Sequence, residues 1–143
     1  MKVKDCMCGN VCYCKLDTKI KDIAQMMKDY KIGCIPVCDD NDCIMGIITD
    51  RDITLRSVAC GKDTQCSCAK DIMTSNATCC DCNEDIEKVT KSMGENGVRR
   101  IPVTENGKIV GILTLGDFAK HKDISCECVG NTFEKICKCN NEK

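Results

Sequence analysis

Gly46-Ile47-Ile48-Thr49-Asp50-Arg51-Asp52 is the stretch that decides the fold, because Gly111-Ile112-Leu113-Thr114-Leu115-Gly116-Asp117 repeats its pattern 65 positions later. Each copy places two apolar residues between a Gly and a Thr, and an Asp follows three positions after the Thr. The apolar run predicts a strand that is buried on both faces, and a helix is expected to begin directly after it. The duplication indicates two copies of one small α/β unit.

The same duplication extends upstream of both motifs. Landmark residues recur there 66 positions apart, one more than in the motifs, so one residue was lost in the intervening loop. We predict that each copy runs strand, helix, strand, strand, helix, and that the α/β (α+β) fold is two pseudo-symmetric β-α-β-β-α halves packed through their sheets. The paired landmarks are Ile20 with Ile86, Met27 with Met93, and Ile35-Pro36-Val37 with Ile101-Pro102-Val103.

The first helix of each copy is predicted from its amphipathic spacing. Apolar residues within 20–27 fall at i, i+3, i+4 and i+7, and the second copy reproduces this pattern. Asp17 and Asn83 stand just upstream, where we expect N-caps or their neighbours. Gly33 and Gly97 follow the two helices and are expected at the chain reversals.

The remaining segments are turns, a linker and a tail. Asn106-Gly107 predicts a tight hairpin in the second copy. In the tail, Phe133–Ile136 is expected to form one or two helical turns. The predicted organisation is motif 1 at 1–60, a linker at 61–69, motif 2 at 70–122 and a cysteine-containing tail at 123–143.

Composition excludes several classes of partner. A net charge of −1 over 143 residues argues against nucleic acid, because counterion release requires a basic surface. No run of 18 apolar residues occurs, so no membrane span is expected. The first residues lack the apolar stretch of a secretory signal, so we expect a cytoplasmic protein.

Two interpretations fit the paired Thr and Asp residues. The first is helix capping, with Thr49 or Thr114 as N-cap and the acidic side chain at the third helical position. The second is ligand binding, because a carboxylate fixed at a helix start can accept two hydrogen bonds from the cis hydroxyls of a ribose. Capping alone does not explain why the Gly and Pro residues that precede Asp52 recur at matching positions before Asp117.

Together these motifs resemble a tandem cystathionine-β-synthase (CBS) domain pair, also called a Bateman module. The resemblance covers roughly Val3 to Lys120, most of the chain. Asp71-Ile72-Met73-Thr74 opens the second copy in the manner of the family, and Asp5-Cys6-Met7-Cys8 is its degraded counterpart. Val98-Arg99-Arg100-Ile101-Pro102-Val103 is also typical of it.

The resemblance implies a regulatory ligand-binding protein whose pockets take parts from both copies. Such pockets bind adenosine-containing molecules, namely AMP, ADP, ATP or S-adenosylmethionine. The resemblance also implies a homodimer that reports occupancy to an effector protein, which remains unknown. No cofactor is expected to be required, and catalysis is not expected because no general base or activated nucleophile emerges from the sequence. A purely structural dimerisation module is an alternative.

The resemblance assigns residues to two unequal sites. The first has an arginine pair and Thr74 where the second has Gly33-Cys34 and Cys8, so phosphate is expected in the first. The arginine pair could instead be a solvated charge pair. In the first site, Thr49 and Asp52 would hold the ribose, with Thr74, Ala77, Thr78, Val98, Arg99 and Arg100 around the ligand. In the second, Thr114 and Asp117 would face Cys8, Val11, Cys12, Ile32 and Gly33.

The chain's 17 cysteines allow a different function. Many recur as Cys-x-Cys, and on a strand such residues point to one side, where two thiolates could bind Zn²⁺. The alternative is that Cys acts as a small buried hydrophobe, since Cys6 aligns with Ile72. A metal-binding or redox-sensing protein on this scaffold is therefore the alternative function. The lone His121 is expected at an exposed helix end. The candidate metal ligands are Cys66, Cys68, Cys126, Cys128, Cys137 and Cys139.

Overall fold

The computed structural model describes residues 1–141, which form a mixed α/β structure with two β-sheets and six α-helices. The predicted fold class is therefore confirmed. The chain divides into two compact units, each described by itself below. The first unit is Cys12–Ala77, and the second unit is Met1–Val11 together with the chain from Thr78 onward.

A four-stranded sheet forms the centre of the first unit. Its strands are β1 (Cys14–Lys15), β2 (Cys34–Cys38), β3 (Ile44–Thr49) and β4 (Thr74–Ser75). The order is β1-β2-β3-β4, with β1 parallel to β2 and the other pairs antiparallel. Strand β4 comes from the start of the second sequence copy, so the sheet of the first copy is completed by residues of the second.

Three helices pack on this sheet. They are α1 (Ile20–Tyr30), α2 (Asp50–Asp52), which continues as a π-helix over Ile53–Val58, and α3 (Ala69–Ile72). The predicted apolar face of α1 is confirmed, because Ile20 and Ile23 are fully buried with Ile35 and Ile48 of the sheet. This packing fixes the end of β3, where the first motif turns into α2.

A three-stranded sheet forms the centre of the second unit. Its strands are β5 (Cys80–Asp81), β6 (Arg100–Glu105) and β7 (Lys108–Thr114), in the order β5-β6-β7. The predicted hairpin is confirmed, since β6 and β7 are antiparallel and joined at Asn106 and Gly107. Both of those residues have positive φ, 51° and 79°, as a two-residue hairpin turn requires.

The helices of the second unit include one that is much longer than expected. After a 3₁₀ turn at Val3–Asp5, they are α4 (Ile86–Asn96), α5 (Leu115–Lys120) and α6 (Cys126–Asn141). The prediction of one or two turns at 133–136 was wrong, because α6 has 16 residues and packs on α4 and α5. Fully buried Ile136 accounts for this packing. Of the helices that residues 1–141 form, none has the length and apolarity that crossing a membrane requires.

Both N-caps lie two residues beyond the positions expected for them. Lys19 precedes α1 and makes no side-chain cap, whereas the Asp85 side chain accepts a hydrogen bond from the Glu87 amide before α4. Asp17 and Asn83 are thus upstream of the caps. The first apolar residue of each helix is buried, and its burial sets the start of the helix more strongly than capping propensity does.

The C-terminal ends of the two matching helices differ. Gly97 caps α4 with φ 66°, as predicted. At α1 the left-handed residue is Lys31, with φ 54°, so the assignment of the reversal to Gly33 was wrong. A lysine can adopt this conformation at a helix end, although at some cost in strain.

Candidate functional site

The motif in the first unit ends β3 and starts α2. Thr49 has an extended backbone, with φ −106° and ψ 164°, and its Oγ1 accepts a hydrogen bond of 3.1 Å from the Asp52 amide. In return, Asp52 Oδ2 accepts a 2.9 Å hydrogen bond from the Thr49 amide. The predicted capping of the helix by Thr49 and Asp52 is therefore confirmed. It also fixes the carboxylate of Asp52, whose side chain is 16% exposed, in one orientation.

The motif in the second unit has the same arrangement with one further contact. Asp117 Oδ2 accepts hydrogen bonds of 2.8 Å from both the amide and the hydroxyl of Thr114. The Asp117 amide donates to Thr114 Oγ1 at 3.2 Å. Each carboxylate thus uses Oδ2 for the cap, which leaves Oδ1 as the oxygen available to another donor.

The glycine of each motif permits a second segment to approach the strand closely. A Cβ at Gly46 would lie 2.7 Å from the carbonyl oxygen of Thr74 and 2.8 Å from Met73 Sδ. A Cβ at Gly111 would lie 2.7 Å from the Cys8 carbonyl oxygen. Only glycine allows this approach, and the approach brings Thr74 beside the first motif. The repeated Gly is therefore explained by the close approach of a neighbouring backbone segment to the strand.

Arg56 is the residue of this site that the sequence analysis did not assign. Its Nη1 donates to the Ile72 carbonyl at 3.0 Å and to Thr74 Oγ1 at 3.1 Å, while its Nε lies 3.8 Å from Asp52 Oδ1. Arg56 therefore links two of the predicted ligand-binding residues, Asp52 and Thr74. The available signal was its position four residues after Asp52 on one helical face.

The other candidates in the first unit lie at neighbouring backbone positions. The Gly33 carbonyl accepts a 3.0 Å hydrogen bond from the Asp50 amide, which places Gly33 beside the start of α2. Ile32 is half-buried against the core, and Ala77 is half-buried just beyond β4. Cys12 is half-buried before β1, and burial raises the pKa of its thiol.

The candidates in the second unit gather around its own motif. The Arg99 carbonyl accepts a 3.0 Å hydrogen bond from the Leu115 amide, and Arg100 pairs with Thr114 between β6 and β7. The Arg99 guanidinium lies 5.8 Å from the ring centroid of Phe133 in α6, a cation–π contact. The remaining candidates are Val98, half-buried against the core, Thr78 and Val11, both half-buried, and Cys8, which exchanges backbone hydrogen bonds with Ile112.

The candidate metal ligands are dispersed. Cys126 and Cys128, and likewise Cys137 and Cys139, lie on α6, so the strand geometry expected for them was wrong. Helical residues two apart point in nearly opposite directions and do not face one ion together. Within residues 1–141, no group of three or more His, Cys, Asp or Glu side chains is placed to hold a metal ion.

The linker cysteines contact carboxylates instead. Cys66 Sγ donates to Asp63 Oδ2 and Cys68 Sγ donates to Asp71 Oδ2, each at 3.4 Å. The hydrogen bond to Asp63 raises the pKa of the Cys66 thiol. Burial, with the bond to Asp71, raises the pKa of the Cys68 thiol.

Comparison with known proteins places this geometry in a family. The family model described as "CBS domain" matches residues 3–58 and 69–123, more than half of the chain. An uncharacterised Bacillus subtilis protein, YlbB, is 34% identical over 143 residues, which cover 99% of this chain and 95% of that protein. Hypoxic response protein 1 of Mycobacterium tuberculosis is 37% identical over 98 residues, 68% of each chain.

Solved structures with the same fold carry two kinds of ligand. Hypoxic Response Protein I with two coordinated zinc ions has a TM-score of 0.78 at 32% identity, covering 85% of this chain and 98% of that one. The CBS domain pair of protein MJ0100, in complex with 5-methylthioadenosine and S-adenosyl-L-methionine, has a TM-score of 0.74 at 26% identity, covering 84% and 94%. CBSX2 in complex with AMP has a TM-score of 0.69 at 26% identity, covering 81% and 91%.

Each matched segment contains one Gly-x-x-Thr-x-x-Asp motif, and the Thr-x-x-Asp part of each lies at the same strand-to-helix junction of its unit. The chain belongs to the CBS domain family, as a tandem pair.

Proposed function

We propose that this protein is a non-catalytic regulatory module that binds an adenosine-containing ligand at its Thr-x-x-Asp motifs. The observation that carries the proposal is the orientation of Asp52, whose Oδ2 is held by the Thr49 amide. A carboxylate that is already fixed loses little freedom when it accepts further hydrogen bonds. Asp117 is held in the same way by Thr114.

A ribose is the group that best suits this carboxylate. Its cis hydroxyls are two donors on one side of a ring, and charge-assisted O–H···O⁻ bonds to Asp52 are shorter and stronger than neutral ones. Thr49 and Thr74 supply hydroxyls next to it, since Arg56 contacts both Asp52 and Thr74. The related structures with AMP, 5-methylthioadenosine and S-adenosyl-L-methionine support an adenosyl ligand, because all three contain a ribose or its derivative.

Several finer assignments belong to the same proposal. We assign Thr49, Asp52, Thr74 and Ala77 to the site of the first unit, and Thr114 and Asp117 to that of the second. The grouping of Thr78, Val98, Arg99 and Arg100 with Asp52, and of Ile32 and Gly33 with Asp117, stays a prediction. So do the homodimer, the effector protein, the cytoplasmic location and a zinc site. Ligand binding would act by shifting the population between two conformations of the module.

Calorimetry of a variant that keeps the helix cap but removes the charge of Asp52 tests the proposal. Asp52→Asn keeps a side-chain oxygen that can accept from the Thr49 amide but removes the charge that would bind the ribose. We expect wild-type protein to bind AMP or adenosine, and Asp52→Asn to weaken both by about 10-fold or more, the value of a hydrogen bond to a charged group.

Asp71→Asn is the matched control for this experiment. Asp71 caps α3 by accepting a 2.8 Å hydrogen bond from the Cys68 amide, in the same geometry as Asp52 but outside the motif. Its substitution should leave the affinities unchanged. Absence of binding by the wild-type protein to AMP, ATP, adenosine and S-adenosylmethionine up to millimolar concentrations would refute the proposal.

A further inference from the structure

Arg56 contacts two residues of the proposed ligand site, Asp52 and Thr74. Its Nη1 donates to the carbonyl of Ile72, the last residue of α3, at 3.0 Å and to Thr74 Oγ1 in β4 at 3.1 Å. The Arg56 side chain is 48% exposed, and within residues 1–141 its Nη2 group makes no hydrogen bond. Because Nη1 uses both of its N–H groups and Nε faces Asp52, the Nη2 group is the part of the guanidinium that can donate to a phosphate.

The charge balance of the site points in the same direction. Asp52 is 16% exposed, and a phosphate brought near this carboxylate would be repelled. Arg56 Nε, at 3.8 Å from Asp52 Oδ1, offsets that charge. The motif can then bind a sugar through the carboxylate while an adjacent cation receives an anionic group.

The repeat provides an internal comparison. The position 65 residues after Arg56 is His121, the residue that ends α5 in the second unit. The prediction of a helix-end position was correct, although the His121 side chain is only 30% exposed. Its Nδ1 is buried without a hydrogen bond to any described residue and lies 3.8 Å from Asp123 Oδ2. Cys8 replaces Thr74, so the second unit has no permanent cation at the position of Arg56 and no hydroxyl at the position of Thr74.

We infer that Arg56 is the specificity-determining residue of the first unit, which makes this site select a phosphate-bearing nucleoside over a neutral one. The inference rests on the proposed function and names the ligand class of that same site. In the free protein the guanidinium lies on Thr74 and beside Asp52. A bound phosphate accepts hydrogen bonds from the Nη2 group, and the Thr74 hydroxyl, which accepts from Nη1, can still donate its own proton to the ligand.

The competing explanation is that Arg56 only stabilises the contact between the π-helix and β4 and does not bind the ligand. The two explanations differ in their effect on ligand preference. A purely structural contact would affect phosphorylated and neutral ligands alike, whereas a phosphate-binding residue affects only the former. The ratio of AMP to adenosine affinity is therefore the quantity to measure.

Calorimetry with full-length Arg56→Gln, Arg56→Lys and wild-type protein measures this ratio. We expect Arg56→Gln to weaken AMP binding by about 10- to 100-fold, as loss of a charge-assisted pair implies, and to change adenosine binding by less than about 3-fold. Arg56→Lys retains a point charge and should recover part of the AMP preference. Arg51→Gln, an exposed arginine of α2, is the matched control and should preserve the ratio.

Each of the other possible results would overturn the inference about Arg56. Equal losses for AMP and adenosine in Arg56→Gln would show a purely structural contact and overturn the inference. A wild-type protein that binds both ligands with equal affinity, or an Arg56→Gln variant with an unchanged ratio, would overturn it while leaving the proposed function intact. A wild-type protein that binds neither ligand would overturn both. Thermal unfolding of each variant shows whether the fold survives the substitution.

Discussion

Individual cysteines in the strands behave as small apolar residues. Cys14 in β1 and Cys80 in β5 occupy the same position of the repeat, 66 residues apart, and burial raises the pKa of each thiol to about 12. Burial likewise raises the pKa of Cys38 in β2 to about 11. The uncharged form persists because the surroundings do not solvate a thiolate. At these positions the apolar interpretation explains the residue without a metal.

These raised pKa values predict a loss of stability at alkaline pH. A thiol whose pKa is 9.0 in the unfolded chain, but about 12 in the folded protein, contributes stability that is complete below about pH 9. That contribution is lost as the pH rises toward 12, because the unfolded chain releases its proton first. We therefore expect the free energy of unfolding from urea titrations to fall between about pH 9 and 12.

Two variants isolate the thiol from other alkaline effects. Cys14→Val should reduce the slope of unfolding free energy against pH in this window. Cys126→Ser, at an exposed position of α6, should not. Identical slopes in Cys14→Val and wild-type protein would show that the buried thiol does not titrate as described.

At the scale of elements, each motif strand pairs with a segment from the other sequence copy. Thr74–Ser75 pairs with β3 in the first unit, and Cys8 pairs with Ile112 of β7 in the second. This close pairing requires Gly46 and Gly111, since a Cβ at either position would lie 2.7 Å from a carbonyl oxygen of the paired segment. The motif glycine therefore has a structural role that is separate from the ligand contacts of Thr and Asp.

Alanine at either motif glycine should destabilise the protein. For Gly46→Ala and Gly111→Ala we expect a loss of about 1–3 kcal/mol in the free energy of unfolding, the usual cost of overpacking. Gly9→Ala is the control, because no atom lies within 4 Å of its Cβ position. Chemical denaturation measures all three, and a Gly46→Ala protein as stable as Gly9→Ala would contradict the close approach.

The elements also show how far the sequence predicts this structure. Periodicity predicted α1 and the hairpin at Asn106-Gly107, because those signals are local. The length of α6 was not predicted, since its Cys, Asn, Thr and Gly residues have weak helix propensity and its stability comes from Ile136 packing in the core. The Arg56–Thr74 contact was not predicted because it depends on β4 joining a sheet whose other strands are distant in sequence.

In the whole molecule, sequence copies and structural units do not coincide. The first unit contains Thr49 and Asp52 from one copy and Thr74 from the other, and Arg56 links them. A ligand held by Asp52 and Thr74 would thus contact both copies while remaining within one unit. Binding energy at this junction would favour the conformation in which β4 is paired with β3, which gives a regulatory module its response.

The most direct test of this account is an amide chemical-shift titration of the ¹⁵N-labelled protein with AMP. The Thr49 amide is the donor to Asp52 Oδ2, so it reports any ligand that binds this carboxylate. We expect saturable shifts at Thr49 and Asp52, together with shifts at Thr74, at AMP concentrations of about 1 mM or below. Unchanged resonances at both Thr49 and Thr114 at about 10 mM AMP would contradict nucleotide binding at the Thr-x-x-Asp motifs.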